Sequence, residues 1–333
     1  MQLVRGLSFF SRHPVSSELS KTRSAVCIGN FDGIHLGHQQ LFRLVRESAL
    51  PQSQRILLTF EPHPRVFFAK LRGQPIDFLP ISSFRERFLL SRASGFDFLL
   101  AAHFDGALAA LTPREFVQQY LVEVLQAELV VVGYDWAFGK GRAGNPDLLK
   151  RLGEEFGFRV LVAEPVLDTD AGGVIGGGKI SSTVVRGALL EGDLVKVVRY
   201  LGRPYMLSGH VRRGDQRGRV IGFPTANLAL PPLLLPRNGV YASRLSYAGR
   251  SFDSITNIGT RPTFSKQLAP SVETHILGAD QHALYGVRVE LELVARIRDE
   301  VRFSGVDALK QQIAKDLPIA QALLDSAPRT TNP

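Results

Sequence analysis

The chain has 333 residues, with 40 Lys and Arg against 31 Asp and Glu and a formal net charge of +9. At about 100–200 residues per domain, that length predicts two domains. A hydrophobic content of 44% with 21% charged residues excludes wholesale disorder, and 31 glycines without a G-x-y period exclude collagen.

No run of 18 apolar residues is present, so no transmembrane helix is expected. The opening stretch MQLVRGLSFFSRHP is too short and too interrupted, by Arg12 and His13, for a signal peptide. The only cysteine, Cys27, excludes an intramolecular disulfide and a cysteine zinc cluster, which fits a reducing cytoplasm. The basic residues are mainly arginines and are scattered. They form no stripe of the kind a nucleic-acid binder shows, so neither nucleic acid nor membrane is an expected partner. Phosphorylated small molecules and a solubilising surface account for the positive balance equally well.

In chain order, Ala25–Ile28 reads as a buried parallel strand ending at GNFDG. Gln39–Ala49 follows with helical spacing, Leu41, Leu44, Val45 and Ser48 sharing a face. Arg55–Phe60 is a strand broken by EPHP, Ser82–Ala93 a helix, and Phe98–Ala101 a strand. Thr112 caps a helix that has Pro113 at its first position. Leu129–Val132 and Arg159–Ala163 are further strands, and this alternation predicts a parallel α/β sheet with helices on both faces. Asp168–Gly178 is a Gly-rich acidic loop, and Ser182–Tyr200 is one helix. Beyond Pro204 short strands alternate with turns, at Tyr241–Tyr247, Ser254–Asn257, Val272–Leu277 and Val287–Ala295. They predict an antiparallel β-barrel or sandwich. LPPLLLP at 230–236 reads as a surface loop, and Ser304–Leu324 as a closing helix capped by Ser304. The expected division is residues 1–186, a connecting helix at 187–203, and residues 204–333.

The sharpest chemical signal is GNFDGIHLGH, Gly29 to His38. A strand enters a glycine-bearing turn, and two histidines three apart open a helix. Helix N-terminal amides attract anions, and glycine lets a phosphate approach the backbone. An isolated H-x-x-H pair would mark capping histidines; here Gly29, Asp32, Gly33 and Gly37 surround it.

The segment resembles the HxGH signature of the nucleotidyltransferase superfamily. Further motifs are similar to those of the FAD synthetase module of the bacterial bifunctional riboflavin kinase/FAD synthetase family: TFEPHPRVF (59–67), VVGYDWAFGKGRAG (131–144) and KISSTVVRGALLEGD (179–193). RGRVIGFPTANL (217–228), NGVYA (238–242), NIGTRPTF (257–264), VETHIL (272–277) and the YGVRVEL…RIRDEVRFSGVDALKQQIAKD stretch resemble its riboflavin kinase module. The resemblance spans nearly the whole chain, in order. It implies a Rossmann-like α/β domain followed by a β-barrel kinase domain with a C-terminal helix.

It also implies two reactions, riboflavin plus ATP giving FMN and ADP, and FMN plus ATP giving FAD and pyrophosphate. In the first module His35 and His38 match the positions that hold ATP phosphates, within the turn of Gly29, Phe31, Asp32, Gly33 and Gly37. Arg186 matches the residue that offsets charge on the departing pyrophosphate, and Ser181, Ser182 and Thr183 are expected phosphate donors. Asp135 stands where some relatives carry Asn, as a nucleotide or metal contact. Glu61, Pro62, His63 and Pro64 fall on the flavin side, Glu61 replacing the expected Asp. In the second module Glu273 matches the general base, and Thr225 and Asn227 the Mg2+ ligands. Gly209, Gly214, Gly218 and Gly222 are expected to wrap phosphates. The implied partners are ATP, riboflavin and FMN, and the oligomeric state stays open.

Two motifs are near misses. GKGRAG (139–144) spells G-x-G-x-x-G but does not directly follow a strand, and GVIGGGK (173–179) lacks the Ser or Thr of a Walker loop at Ile180. Cys27 reads as a small buried hydrophobe. The alternatives are a riboflavin kinase whose first module binds nucleotide without transferring it, and a flavin- or RNA-binding regulator.

Overall fold

The computed structural model describes residues 1–6, 22–168, 178–214, 218, 221–262, 268–278 and 284–329. The chain divides into two compact units, Met1–Ser181 and Ser182–Pro333.

The first unit is built on β1 (Gln2–Arg5), β2 (Ser24–Ile28), α1 (Leu36–Ser48), β3 (Gln54–Glu61), α2 (Pro64–Leu71), α3 (Phe84–Ala93) and β4 (Phe98–His103). Then come α4 (Gly106–Ala110), α5 (Pro113–Phe116) continuing into a π-helical segment (Val117–Val124), β5 (Ala127–Gly133), α6 (Pro146–Phe156) and β6 (Arg159–Ala163). The six strands form one parallel sheet in the order β1-β4-β3-β2-β5-β6. All five residues of β2 are buried, which explains its unbroken apolar run. Its side chains alternate between two cores. Val26 and Ile28 join Ile56, Leu58, Val130 and Phe116, while Ala25 and Cys27 join Leu57, Leu129, Leu41, Phe42 and Val45. Because β3 flanks β2 on one side and β5 on the other, the winding reverses at β2/β5. A crevice therefore opens at the carboxyl ends of those strands.

Helix starts follow local chemistry. Thr112 caps its helix with Pro113 at the first turn, as expected, and Glu115 completes a capping box. The helix expected from Ser82 begins at Phe84, because the Ser83 hydroxyl caps the Glu86 amide. Elements not read from the sequence include β1, α2 and α6. The last carries clear signals, an Asn145 cap, Pro146 at its start and Gly157 in the left-handed region at its end.

The second unit opens with α7 (Ser182–Glu191) and α8 (Leu194–Leu201). The single expected helix is broken at Gly192, with φ +77°, and Asp193 caps the second piece. Six strands follow: β7 (Tyr205–Arg212), β8 (Ala226–Ala229), β9 (Gly239–Tyr247), β10 (Arg250–Pro262), β11 (Leu268–Ile276) and β12 (Arg288–Arg298). They close as an antiparallel barrel in the order β10-β11-β8-β7-β12-β9, so barrel and not sandwich is the outcome. The expected surface loop at 230–236 is partly anchored, with Leu233 buried and the Leu234 carbonyl accepting the Tyr205 hydroxyl at 2.6 Å.

The closing helix, α9 (Val306–Ser326), has Gly305 and not Ser304 at its N-cap, with no side-chain cap bond. Its Ala320 and Leu324 pack on Val240, Ala242 and Ile255 of the barrel wall. The opposite face of those strands carries fully buried hydroxyls. Ser243 meets Ser254 at 2.8 Å and Thr256 at 2.7 Å, and Thr256 meets Thr274 at 2.9 Å.

Arg244, 2% exposed, fastens the end of α9. It donates to the carbonyls of Leu324, Ala327 and Pro328, each at 2.8 Å, and lies 3.4 Å from Glu292 and 3.7 Å from Asp253. Those carbonyls include ones that a helix C-terminus leaves without intrahelical partners. Arg244→Met removes the buried cation beside Glu292 and Asp253 and the donors to the helix end. The expected loss is about 3–5 kcal/mol of unfolding free energy, read in urea by circular dichroism.

Candidate active sites

β2 ends at Ile28, and the Gly29 amide donates to the Leu58 carbonyl at 3.1 Å. The chain then turns through three left-handed residues, Phe31 (φ +50°), Gly33 (φ +85°) and Ile34 (φ +42°). Two of these are bulky, and such strain persists only where the surroundings impose it. Here Phe31 and Ile34 are 1% and 2% exposed, and the Asp32 carboxylate accepts the Ile81 amide at 2.7 Å. The Gly33 amide donates to the Ser82 hydroxyl at 3.0 Å. Asp32, expected among the phosphate contacts, is thus placed as a brace of the turn.

The turn delivers His35 to the N-cap of α1, where its side chain makes no capping hydrogen bond. The His35 and His38 rings stack with centroids 3.7 Å apart, and Phe31 meets His38 edge-on at 5.3 Å. Gly37 makes the approach possible: a Cβ there would stand 3.1 Å from the His35 ring and 3.2 Å from the Ile180 carbonyl. Two imidazoles side by side at the start of a 13-residue helix form a donor set for a polyanion.

The carboxyl ends of the neighbouring strands carry further charged groups. Arg87, buried, forms a close ion pair with Glu61 and donates to the Asn30 carbonyl at 3.2 Å, tying the ends of β2 and β3 together. Glu61 and Pro62 line a cavity of about 430 Å³ with Arg5, Phe84 and His103. His63 and Pro64 instead start α2. The His63 Nδ1 accepts the Arg65 amide at 3.1 Å, and Pro64 is the first helical residue.

At the end of β5, Lys179 donates to Asp135 at 2.6 Å and lies over the Tyr134 ring. The hydrogen bond to Asp135 raises the Lys179 pKa and keeps it charged. Sequence reasoning missed Lys179 and Arg87; the first stood in view as the opening residue of KISST. Ser181 closes the first unit, next to the Ile180 that meets Gly37. Ser182, Thr183 and Arg186 lie on α7 and belong to the second unit. GKGRAG forms a loop closed by the Phe138–Gly144 bridge around a 3-10 turn, which is no strand-to-helix fingerprint. Most of GVIGGGK lies outside the described residues.

In the barrel, Glu273 of β11 stands directly opposite Asn227 of β8 on one side and Asn257 of β10 on the other. Residues opposite each other in antiparallel strands share a face with Cα atoms about 4.5–5.5 Å apart. One row therefore holds a carboxylate between two amides, and Asn257 is its unforeseen member. Thr225 immediately precedes β8. Gly214 presses on the Asn227 amide, where any Cβ would collide. A Cβ at Gly218 would run into the Phe223 carbonyl and lie 3.4 Å from the Thr225 hydroxyl.

These two glycines cradle Thr225 and Asn227. The other two expected phosphate glycines sit differently: Gly209 lies inside β7 against the Ala229 carbonyl, and Gly222, at φ +89°, makes a turn. Gly214→Ala drives a methyl group into Asn227. Overpacking of this kind costs about 1–3 kcal/mol of unfolding free energy, read in urea by circular dichroism.

Comparisons with known proteins match the two parts of the chain to two family models. Residues 17–184 match the FAD synthetase family model and residues 201–324 the riboflavin kinase family model. A bifunctional riboflavin kinase/FMN adenylyltransferase from Escherichia coli (strain K12) is 36% identical over 95% of this chain and 96% of its own length. A protein of the same description from Haemophilus influenzae is 35% identical over 98% of this chain and 100% of its own. A solved structure described as a macrolide-efflux protein from Streptococcus pneumoniae superposes with a TM-score of 0.82 at 30% identity, covering 96% of this chain and 99% of its own. With both modules matched in order and full-length relatives above 30% identity, the chain belongs to the bifunctional riboflavin kinase/FMN adenylyltransferase family.

Proposed function

We propose that the chain's two activities, riboflavin kinase and FMN adenylyltransferase, are divided between residues 1–186 for adenylyl transfer and 204–333 for the kinase, with 187–203 connecting them. The observation that carries this reading is that the paired histidines and the Glu273 row lie in different compact units. The family matches, ending at 184 and beginning at 201, support the same partition. Relatives described by both activities favour the bifunctional reading over a kinase with an idle first module or a non-enzymatic regulator.

In adenylyl transfer, an FMN phosphate oxygen attacks the α-phosphorus of ATP, the new P–O bond forms, and pyrophosphate leaves. No protein nucleophile is needed, so catalysis rests on position and charge. His35 and His38, at the positive end of α1, hold the phosphates. Lys179 and Ser181 add donors beside them, and Glu61 and Pro62 stand on the flavin side.

In the kinase step, Glu273 takes the proton of the riboflavin primary hydroxyl as its oxygen attacks the γ-phosphorus, and ADP departs. Thr225 and Asn227 offer a divalent ion oxygen ligands, the donors a hard cation takes. An ion taken there would complete its oxygen shell with ATP phosphate oxygens. Mg2+ so held would supply charge neutralisation at the phosphates. Among the described residues no helix is long and apolar enough to cross a membrane. We assign the enzyme to the cytoplasm, acting on small molecules and not on nucleic acid.

The test is incubation of the purified chain with riboflavin, ATP and magnesium, with the flavins resolved by chromatography. FMN and then FAD are expected. His38→Ala is expected to stop at FMN. Glu273→Gln is expected to lower riboflavin phosphorylation by about 10²-fold or more while leaving FAD formation from supplied FMN intact. Loss of both steps in both folded variants contradicts separate sites.

A further inference from the structure

We propose that His275 is a positioning residue of the phosphoryl-transfer site, its Nδ1–H holding the Pro224 carbonyl so that Thr225 and Asn227 present their oxygens beside Glu273. This rests on the reading of Glu273, Thr225 and Asn227 given above.

The β11–β8 ladder pairs only Glu273 with Asn227 and Thr274 with Ala226. The next rung would set His275 against Thr225, but β8 starts at Ala226. Pro224 has no N–H, so this end of the strand is short of a ladder donor. The His275 side chain takes up the connection, its Nδ1 lying 2.7 Å from the Pro224 carbonyl oxygen. A carbonyl only accepts, so Nδ1 carries the proton, and this fixes the tautomer.

The hold reaches further. The His275 ring meets Phe223 edge-on at 5.7 Å, and the Phe223 amide donates to the Gly218 carbonyl at 2.8 Å. His275 thereby holds Phe223 and Pro224, the two residues that lead into Thr225. It stands two residues from Glu273 on the same strand, hence on the same face. One strand face thus carries both the base and the clamp that aligns the metal ligands with it.

The test uses the full-length chain. In 15N-labelled protein, the ring signals of His275 are identified by their loss in His275→Asn. A proton on Nδ1 is expected, and a ring whose only proton sits on Nε2 overturns the proposal. Independently, riboflavin phosphorylation is measured against magnesium concentration for two amide variants. The amide of His275→Asn reaches the place of Nδ1 and is expected to keep the wild-type magnesium requirement. The amide of His275→Gln falls nearer Nε2 and is expected to raise the half-saturating concentration by roughly tenfold, the scale of one lost hydrogen bond.

FAD formation from FMN is expected to stay unchanged in both. Equal magnesium requirements for the two variants overturn the proposal. Glu273→Gln, run alongside, separates the two levels. If it still phosphorylates riboflavin, the site reading fails and the His275 proposal with it. If it is inactive while the amide variants behave alike, only the role of His275 fails.

Discussion

Glu273 faces Asn227 in one register of β11 against β8 and in no other. A slip of one residue would turn its carboxylate to the face where Thr274 sits fully buried, and every neighbouring side chain would invert with it. The barrel is built to prevent that slip. Ser243, Ser254, Thr256 and Thr274 form a chain of buried hydroxyls across β9, β10 and β11, and any shift leaves them without partners. Closure of the barrel removes free edges, and α9, fastened by Arg244, covers part of the outer wall. Stability and chemistry thus share one set of main-chain pairings, with the hydroxyl chain on one face and the reactive row on the other, beside the apolar residues that α9 covers.

The first unit meets the same need by other means. A parallel sheet offers no row of facing residues from adjacent hairpins, so reactive groups gather where strands end. β2 lies at the reversal of the sheet order, and the turn after it is forced through left-handed backbone at Phe31 and Ile34 by burial and by Asp32. The strain stored there is offset by packing, and it sets two imidazoles at a helix start. Arg87 and Lys179 add positive charge at the ends of β3 and β5, each held by a carboxylate.

Much of this was legible in residue order. Apolar runs located β2 to β6 because buried parallel strands need no polar side, and the GNFDGIHLGH spacing alone put both histidines at a helix start. Thr112-Pro113 marked its helix through local capping chemistry. What stayed hidden depends on contacts between distant segments. That Asp32 braces residues 81 and 82, that Arg87 reaches Glu61, and that Asn257 completes the Glu273 row are facts of tertiary pairing without a local pattern. Gly209 looked like its glycine neighbours, yet it serves strand packing, because only the partner strand shows what a Cβ would meet. The break at Gly192 was visible as a glycine, but the flanking apolar spacing read through it.

The proposal at the centre of this account is that each of the two steps has its own site, so that one chain can complete what another has begun. Its most direct test is an equimolar mixture of the His38→Ala and Glu273→Gln chains supplied with riboflavin, ATP and magnesium. The account predicts that the mixture accumulates FAD although neither chain alone makes it from riboflavin, each variant contributing the step the other lacks. A mixture that yields no FAD, or either single chain carrying riboflavin through to FAD, would contradict it.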